Sequence, residues 1–186
     1  TEERMRAGTK RTVSWLWREL EDAGNIRRSE DTLSPTENKK IDTIRNFLLS
    51  KEEDILKLEV QNDALTGLGK NDVTTRYGKY NLFDFAEECP EINDLLIFLR
   101  RSWFEFIQKD FTTPYPLHLT CWYNIIRKGQ EIKMHRHCAG EMTYLSGNMH
   151  LDDYDTMTTY EHMEMSLSLP NIKGGVTFFP GYVEHY

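Results

Sequence analysis

Cysteine is scarce in this 186-residue chain: Cys89, Cys121 and Cys138 are the only three, and no two stand at CxxC spacing. An odd count without such a pair excludes a disulfide-stapled scaffold and reads as reduced thiols, the usage expected of a cytoplasmic protein. Long apolar runs are missing as well, and nothing approaches the roughly 20 residues of a membrane helix. The opening residues have no secretory pattern. Basic excess is also lacking. Lys and Arg number 23 against 30 Asp and Glu, and the formal net charge of −7 disfavours a general nucleic-acid binder with its positive face. What remains, at 39% hydrophobic and 28% charged residues, is ordinary globular composition, sufficient for one substantial core with or without a helical extension.

Two regions differ in period. From residue 1 to about residue 70 the chain is charged and helical in pattern, the signature of an N-terminal helical extension. Val13, Leu16, Trp17 and Leu20 follow amphipathic spacing, and Gly24-Asn25 supplies a stop. Ser34-Pro35-Thr36-Glu37 has the form of a capping box with proline at the first helical position, leading into Ile41, Ile44, Phe47 and Leu48. A short third element holds Ile55, Leu56 and Leu58. Residues 66–80, rich in Gly, Asn, Asp and Thr, read as a connector. Pro90 opens the strongest helix, whose stripe Ile92, Leu95, Leu96, Leu99, Trp103, Phe106 and Ile107 is expected to cover one face of a sheet.

From Pro114 the period becomes two. Strands are expected over 117–126, 132–137, 142–151 and 176–185, with turns at Arg127-Lys128-Gly129-Gln130 and at Asn171-Ile172-Lys173-Gly174-Gly175. Helices followed by strands imply an α+β fold with the chemistry on the sheet.

That chemistry is carried by histidine. His135 and His137 stand two apart, so an extended strand aims both imidazoles to one face. A third, His185, ends the block Gly-Gly-Val-Thr-Phe-Phe-Pro-Gly-Tyr-Val-Glu-His. Each ligand block has the same plan, a glycine turn followed by a strand. Three imidazoles from two strands would bind a metal on one side and leave the other side open, as a catalytic iron site requires. The plainer explanation, polar residues on a solvent-facing strand, fits an arbitrary His-x-His better than it fits these two matched blocks. Glu141 is a candidate fourth ligand. His118 and His162 read as surface residues, and His150 as a candidate to line the pocket.

The order Gly129, His135-Arg-His137, Glu141, Gly147, then Gly174, Pro180 and His185 resembles the two blocks of the cupins, with one gap a residue short and Tyr182 in a glycine position. A second resemblance is closer in wording. Trp122-Tyr-Asn124, Gly129, His135-Arg-His137, Tyr144-Leu-Ser-Gly-Asn-Met-His-Leu151 and Gly174-Gly-Val-Thr-Phe-Phe-Pro180 to His185 look like the 2-oxoglutarate/Fe(II) oxygenases of phages and marine microbes. It covers residues 71–186, the span expected to form the oxygenase-like domain, and leaves the helical region 1–70 outside.

Both resemblances imply a double-stranded β-helix, a jelly roll with its metal at the mouth. The second implies Fe(II) held by His135, His137 and His185, 2-oxoglutarate as cosubstrate with Asn124 and Tyr144 beside it, and hydroxylation of a further substrate. His137 occupies the position in which that family usually has a carboxylate. The family also places a basic residue for the distal carboxylate of 2-oxoglutarate on a strand after its last histidine. The chain stops at Tyr186, so truncation is expected. The competing expectations are a cupin-type metal protein that uses no 2-oxoglutarate, and a non-catalytic phage structural or interaction protein. In the latter, the N-terminal helices with Trp15 and Trp17 would dock a protein partner. For a viral protein the implied location is the host cytoplasm or the virion.

Overall fold

The computed structural model describes residues 33–61, 65–110, 118–137 and 145–186, with side chains described except for those of 101–110. Its order is helices first and antiparallel strands after, in two sheets. The expected helix at Val13–Leu20, with Trp15 and Trp17, lies outside the described residues.

Helix α1, Pro35–Ser50, starts as its sequence dictates. The Ser34 hydroxyl accepts from the Glu37 amide, and the Glu37 carboxylate accepts from the Ser34 amide, completing the capping box. Ile41, Ile44 and Leu48 form its buried stripe. A one-and-a-half-turn helix α2, Glu52–Leu56, buries Ile55. Helix α3, Pro90–Asp110, begins at the expected proline.

The expected connector is more than a loop. Residues 73–76 form a 3-10 turn capped by Asp72, and Asp72 through Arg76 are all buried. The Arg76 guanidinium satisfies carbonyls that would otherwise be orphaned: Nη2 donates to Leu56 (2.9 Å), Nε to Leu58 (3.3 Å) and Nη1 to Asp72 (3.2 Å). Leu56 ends α2 and Leu58 lies just past its cap, so one buried arginine ties the end of α2 to this turn. A second 3-10 stretch, Leu82–Glu87, is capped by Asn81.

These helical pieces share a core. Ile44, Leu48, Ile55, Val73, Leu82, Cys89, Ile92 and Tyr123 form one buried cluster, with Leu95 packed against it. The described stripe of α3 therefore packs on α1 and on residues 82–87, rather than covering the sheet as its sequence suggests. The same cluster has members on both sides of residue 70, Ile55 and Val73 among them.

The strands are β1 (Leu145–Met149), β2 (Met157–His162), β3 (Met165–Pro170), β4 (Val176–Pro180) and β5 (Glu184–His185). β1 and β4 make one sheet, and β3-β2-β5 the other. Among the described residues the sheets are not closed into a barrel. Three expectations need correction. The expected strand 176–185 is two strands in different sheets, because Pro180-Gly181-Tyr182-Val183 turns the chain between them (Val183 amide to Pro180 carbonyl, 3.0 Å). Residues 118–126 are not a strand. Their backbone is bound by the 80–82 segment instead: the Leu82 amide donates to Cys121, Asn81 Nδ2 to Leu119, and the Tyr123 amide to the Tyr80 hydroxyl. Residues 132–137 make only an isolated bridge at His135.

The hairpin β2–β3 was not foreseen. Its two-residue turn is Met163-Glu164, without the Asn-Gly or Asp-Gly signature, and Met163 takes a φ of 56°. Gly174 does have a glycine requirement. Its φ is +76°, and a Cβ there would stand 2.9 Å from Ile41 Cδ1 on α1.

Candidate metal centre

The site is set by register. His135 and His185 exchange both backbone hydrogen bonds, at 3.0 and 2.9 Å, and on the other side of β5 His185 pairs with Tyr160 of β2. Residues directly opposite in a ladder project to the same face, so His135, His185 and Tyr160 form a row. His137, two residues beyond His135, joins that face, and its amide donates to the Gly181 carbonyl (3.1 Å). The turn at Gly181 that splits the expected strand is thus what seats His137.

Three imidazoles converge there. One nitrogen from each of His135, His137 and His185 lies within 4.8 Å of the other two, and the Nε2 atoms of His135 and His137 are 3.3 Å apart. Two donors on one ion at about 2.1 Å each stand roughly 3 to 4.2 Å apart, so the set is close to a single coordination sphere and needs only a small side-chain rotation to close on an ion. Each Nδ1 is held by oxygen: His135 by the Lys133 carbonyl (3.0 Å), His185 by the Val183 carbonyl (3.3 Å) and His137 by the Ser146 hydroxyl (3.1 Å). An outer arrangement of this kind would leave each Nε2 free for a metal ion.

The surroundings are aromatic. Tyr160 lies stacked against His185 (6.0 Å, 21°), Phe179 of β4 sits 4.7 Å from the same ring, and Trp122 meets His137 edge-on at 5.4 Å. Tyr160 and Phe179 are fully buried and form, with Val183, the small core between the sheets. The Tyr160 hydroxyl accepts from Asn148 Nδ2 of β1 (3.1 Å). Burial keeps the rings neutral. Desolvation, reinforced by the neighbouring imidazoles, pushes His185 down to about 3 and His137 to about 4; desolvation also lowers His135. Neutral imidazole is the form that binds metal.

The other sequence-derived candidates are scattered. Asn124 is exposed, and its Oδ1 accepts from Thr74 Oγ1 (2.7 Å), which directs it toward the 73–76 turn. Glu141, Tyr144 and Cys138 lie outside the described residues. His150 follows β1 and pairs through its backbone with Gly174 and Gly175; burial lowers its pKa. His118 is exposed as expected, while His162 rests against Tyr182, ring centroids 5.0 Å apart. Cys89 and Cys121 are free thiols, and burial pushes Cys121 up to about 11, far from a reactive thiolate. Sequence reasoning missed Ser146 and Tyr160. Ser146 sits inside a Ser-Gly landmark whose chemistry was unassigned, and Tyr160 lies in the unforeseen strand β2.

No protein-family model, curated protein or solved structure matches this chain. Among the described residues, no helix is long and apolar enough to cross a membrane.

Proposed function

We propose that His135, His137 and His185 bind one divalent transition-metal ion, and that the chain is a non-haem iron oxygenase of the 2-oxoglutarate-dependent kind. The observation that carries the reading is the shared pattern of the three rings, with each Nδ1 tied to oxygen and one nitrogen of each ring within 4.8 Å of the other two. The two antiparallel sheets meeting over Tyr160 and Phe179 are consistent with a jelly roll, and the neutral rings of the cluster with a metal site. Three neutral imidazoles leave the whole double positive charge on the ion. An anionic chelating co-ligand such as a 2-oxo acid offsets that charge and fits the open side.

When bound, iron with 2-oxoglutarate supplies the activation of dioxygen for hydroxylation. The chain's own residues do the rest. The imidazoles hold the ion, Trp122, Tyr160 and Phe179 exclude water from one flank, and the Lys133, Val183 and Ser146 oxygens orient the ligands.

The donor set also fits a second reading. Among the described residues the cluster is three histidines, and a cupin-type metal protein that takes no 2-oxoglutarate would add Glu141 as a further ligand. Anaerobic addition of Fe(II) and then 2-oxoglutarate separates the two. A weak visible charge-transfer band that appears only with both, and is absent in His137→Ala, supports the oxygenase. Stoichiometric iron without the band leaves the cupin-type reading. A chain that takes up no transition metal would be the non-catalytic fold.

A further inference from the structure

His137 differs from its two partners in what holds its outer nitrogen. The Nδ1 atoms of His135 and His185 face carbonyl oxygens, which only accept, so each neutral ring carries its proton on Nδ1 and a lone pair on Nε2. The Nδ1 of His137 faces the hydroxyl of Ser146, which both donates and accepts. The Nε2 atoms of His135 and His137 are 3.3 Å apart. Two lone pairs repel at that distance unless a proton or a cation lies between them.

We infer that Ser146 is a positioning residue whose hydroxyl switches the tautomer of His137, an inference that rests on the metal reading above. Without an ion, the Ser146 O–H donates to Nδ1, and the Nε2–H of His137 donates to Nε2 of His135. When an ion takes the three Nε2 atoms, the Nε2 proton of His137 leaves to solvent and a proton from solvent arrives at Nδ1. The hydroxyl then rotates and accepts from Nδ1–H. The ring gains no net proton, and both of its nitrogens are engaged in each state. A carbonyl in place of Ser146 would serve only the second state. Ser146 lies on β1 opposite Phe179 of β4, in the sheet that does not carry the triad, so the switch also couples the two sheets at the site.

Ser146→Thr and Ser146→Val make the test, since both side chains are β-branched and of nearly equal size but only the first keeps a hydroxyl. Nitrogen-15 NMR of the imidazoles in the metal-free chain is expected to show His137 as the Nε2–H tautomer and His135 and His185 as the Nδ1–H tautomer. Cobalt(II) titration is expected to give Ser146→Val about 10–100-fold weaker binding than the parent, with Ser146→Thr within about threefold. His137 held as the Nδ1–H tautomer without metal, or Ser146→Val binding cobalt as tightly as the parent, would overturn the role of Ser146 and leave the metal reading standing. A parent chain that takes up no cobalt would overturn both.

Discussion

His185 is the most deeply enclosed of the three imidazoles, at 4% exposure, with the rings of Tyr160 and Phe179 against it. Its removal and that of His137 are expected to reduce bound metal from about one ion per chain to a small fraction, because two imidazoles hold a divalent ion far less tightly than three. Exposed His118 supplies the control. Elemental analysis of His137→Ala, His185→Ala and His118→Ala checks this, with only the last expected to retain metal. The same burial makes the metal-free chain sensitive to acid. Below the ordinary histidine value of 6.5 the unfolded chain takes up protons, while folded His137 and His185 refuse them until about pH 4 and 3. Their contribution to stability is therefore complete above pH 6.5 and declines as pH falls from there toward 4. Urea unfolding of the chelator-treated protein across that window is expected to show midpoints that fall with pH, and a flat profile would contradict the buried neutral triad.

Among the elements, the turns at Gly174 and at residues 73–76 make specific contacts with the helices. At Gly174 an alanine meets two obstacles, a positive φ and a Cβ against Ile41, and Gly174→Ala is expected to cost on the order of 1–3 kcal/mol. Arg76→Ala removes the donors from the half-buried carbonyls of Leu56 and Leu58 and is expected to cost roughly 1–3 kcal/mol. Denaturant titration of each variant measures both. These elements also show what the sequence made legible. The α1 capping box, the proline start of α3 and the glycine turns at 129 and 174 were readable because each is a local contact written within a few residues. The sheet exchange at Gly181 was not, since an unbroken apolar pattern from Val176 onward looks the same whether its two halves join one sheet or two. Nor was the β2–β3 hairpin, whose turn residues Met163-Glu164 give no local signal and whose pairing is fixed by contacts across the sheet.

At the scale of the whole molecule, the helical core and the inter-sheet core are joined by α1. Asp42 pairs with Lys173 at 2.6 Å and Arg45 with Asp152 at 2.5 Å, on the two loops that flank Gly174. The pairs are partly exposed and contribute little individually; the close approach of Gly174 to Ile41 matters more. The histidine site was legible because two ligands sit side by side in sequence and the third ends a matching block. The groups that orient and enclose it were not, because Ser146, Tyr160 and Phe179 reach the site from strands whose pairing no short motif encodes. A metal that binds only the folded chain must also stabilise it, by about 2.7 kcal/mol at a hundredfold excess over its dissociation constant. Thermal melts with and without Zn(II) or Co(II) are expected to differ by several degrees in the parent and not in His137→Ala. X-ray absorption of the iron-loaded chain addresses the convergence of the three rings directly. The expected spectrum has imidazole outer-shell scattering that fits three histidines on one ion, and His185→Ala is expected not to give it. Iron surrounded by oxygen donors alone, or a spectrum unchanged by removing His185, would contradict it.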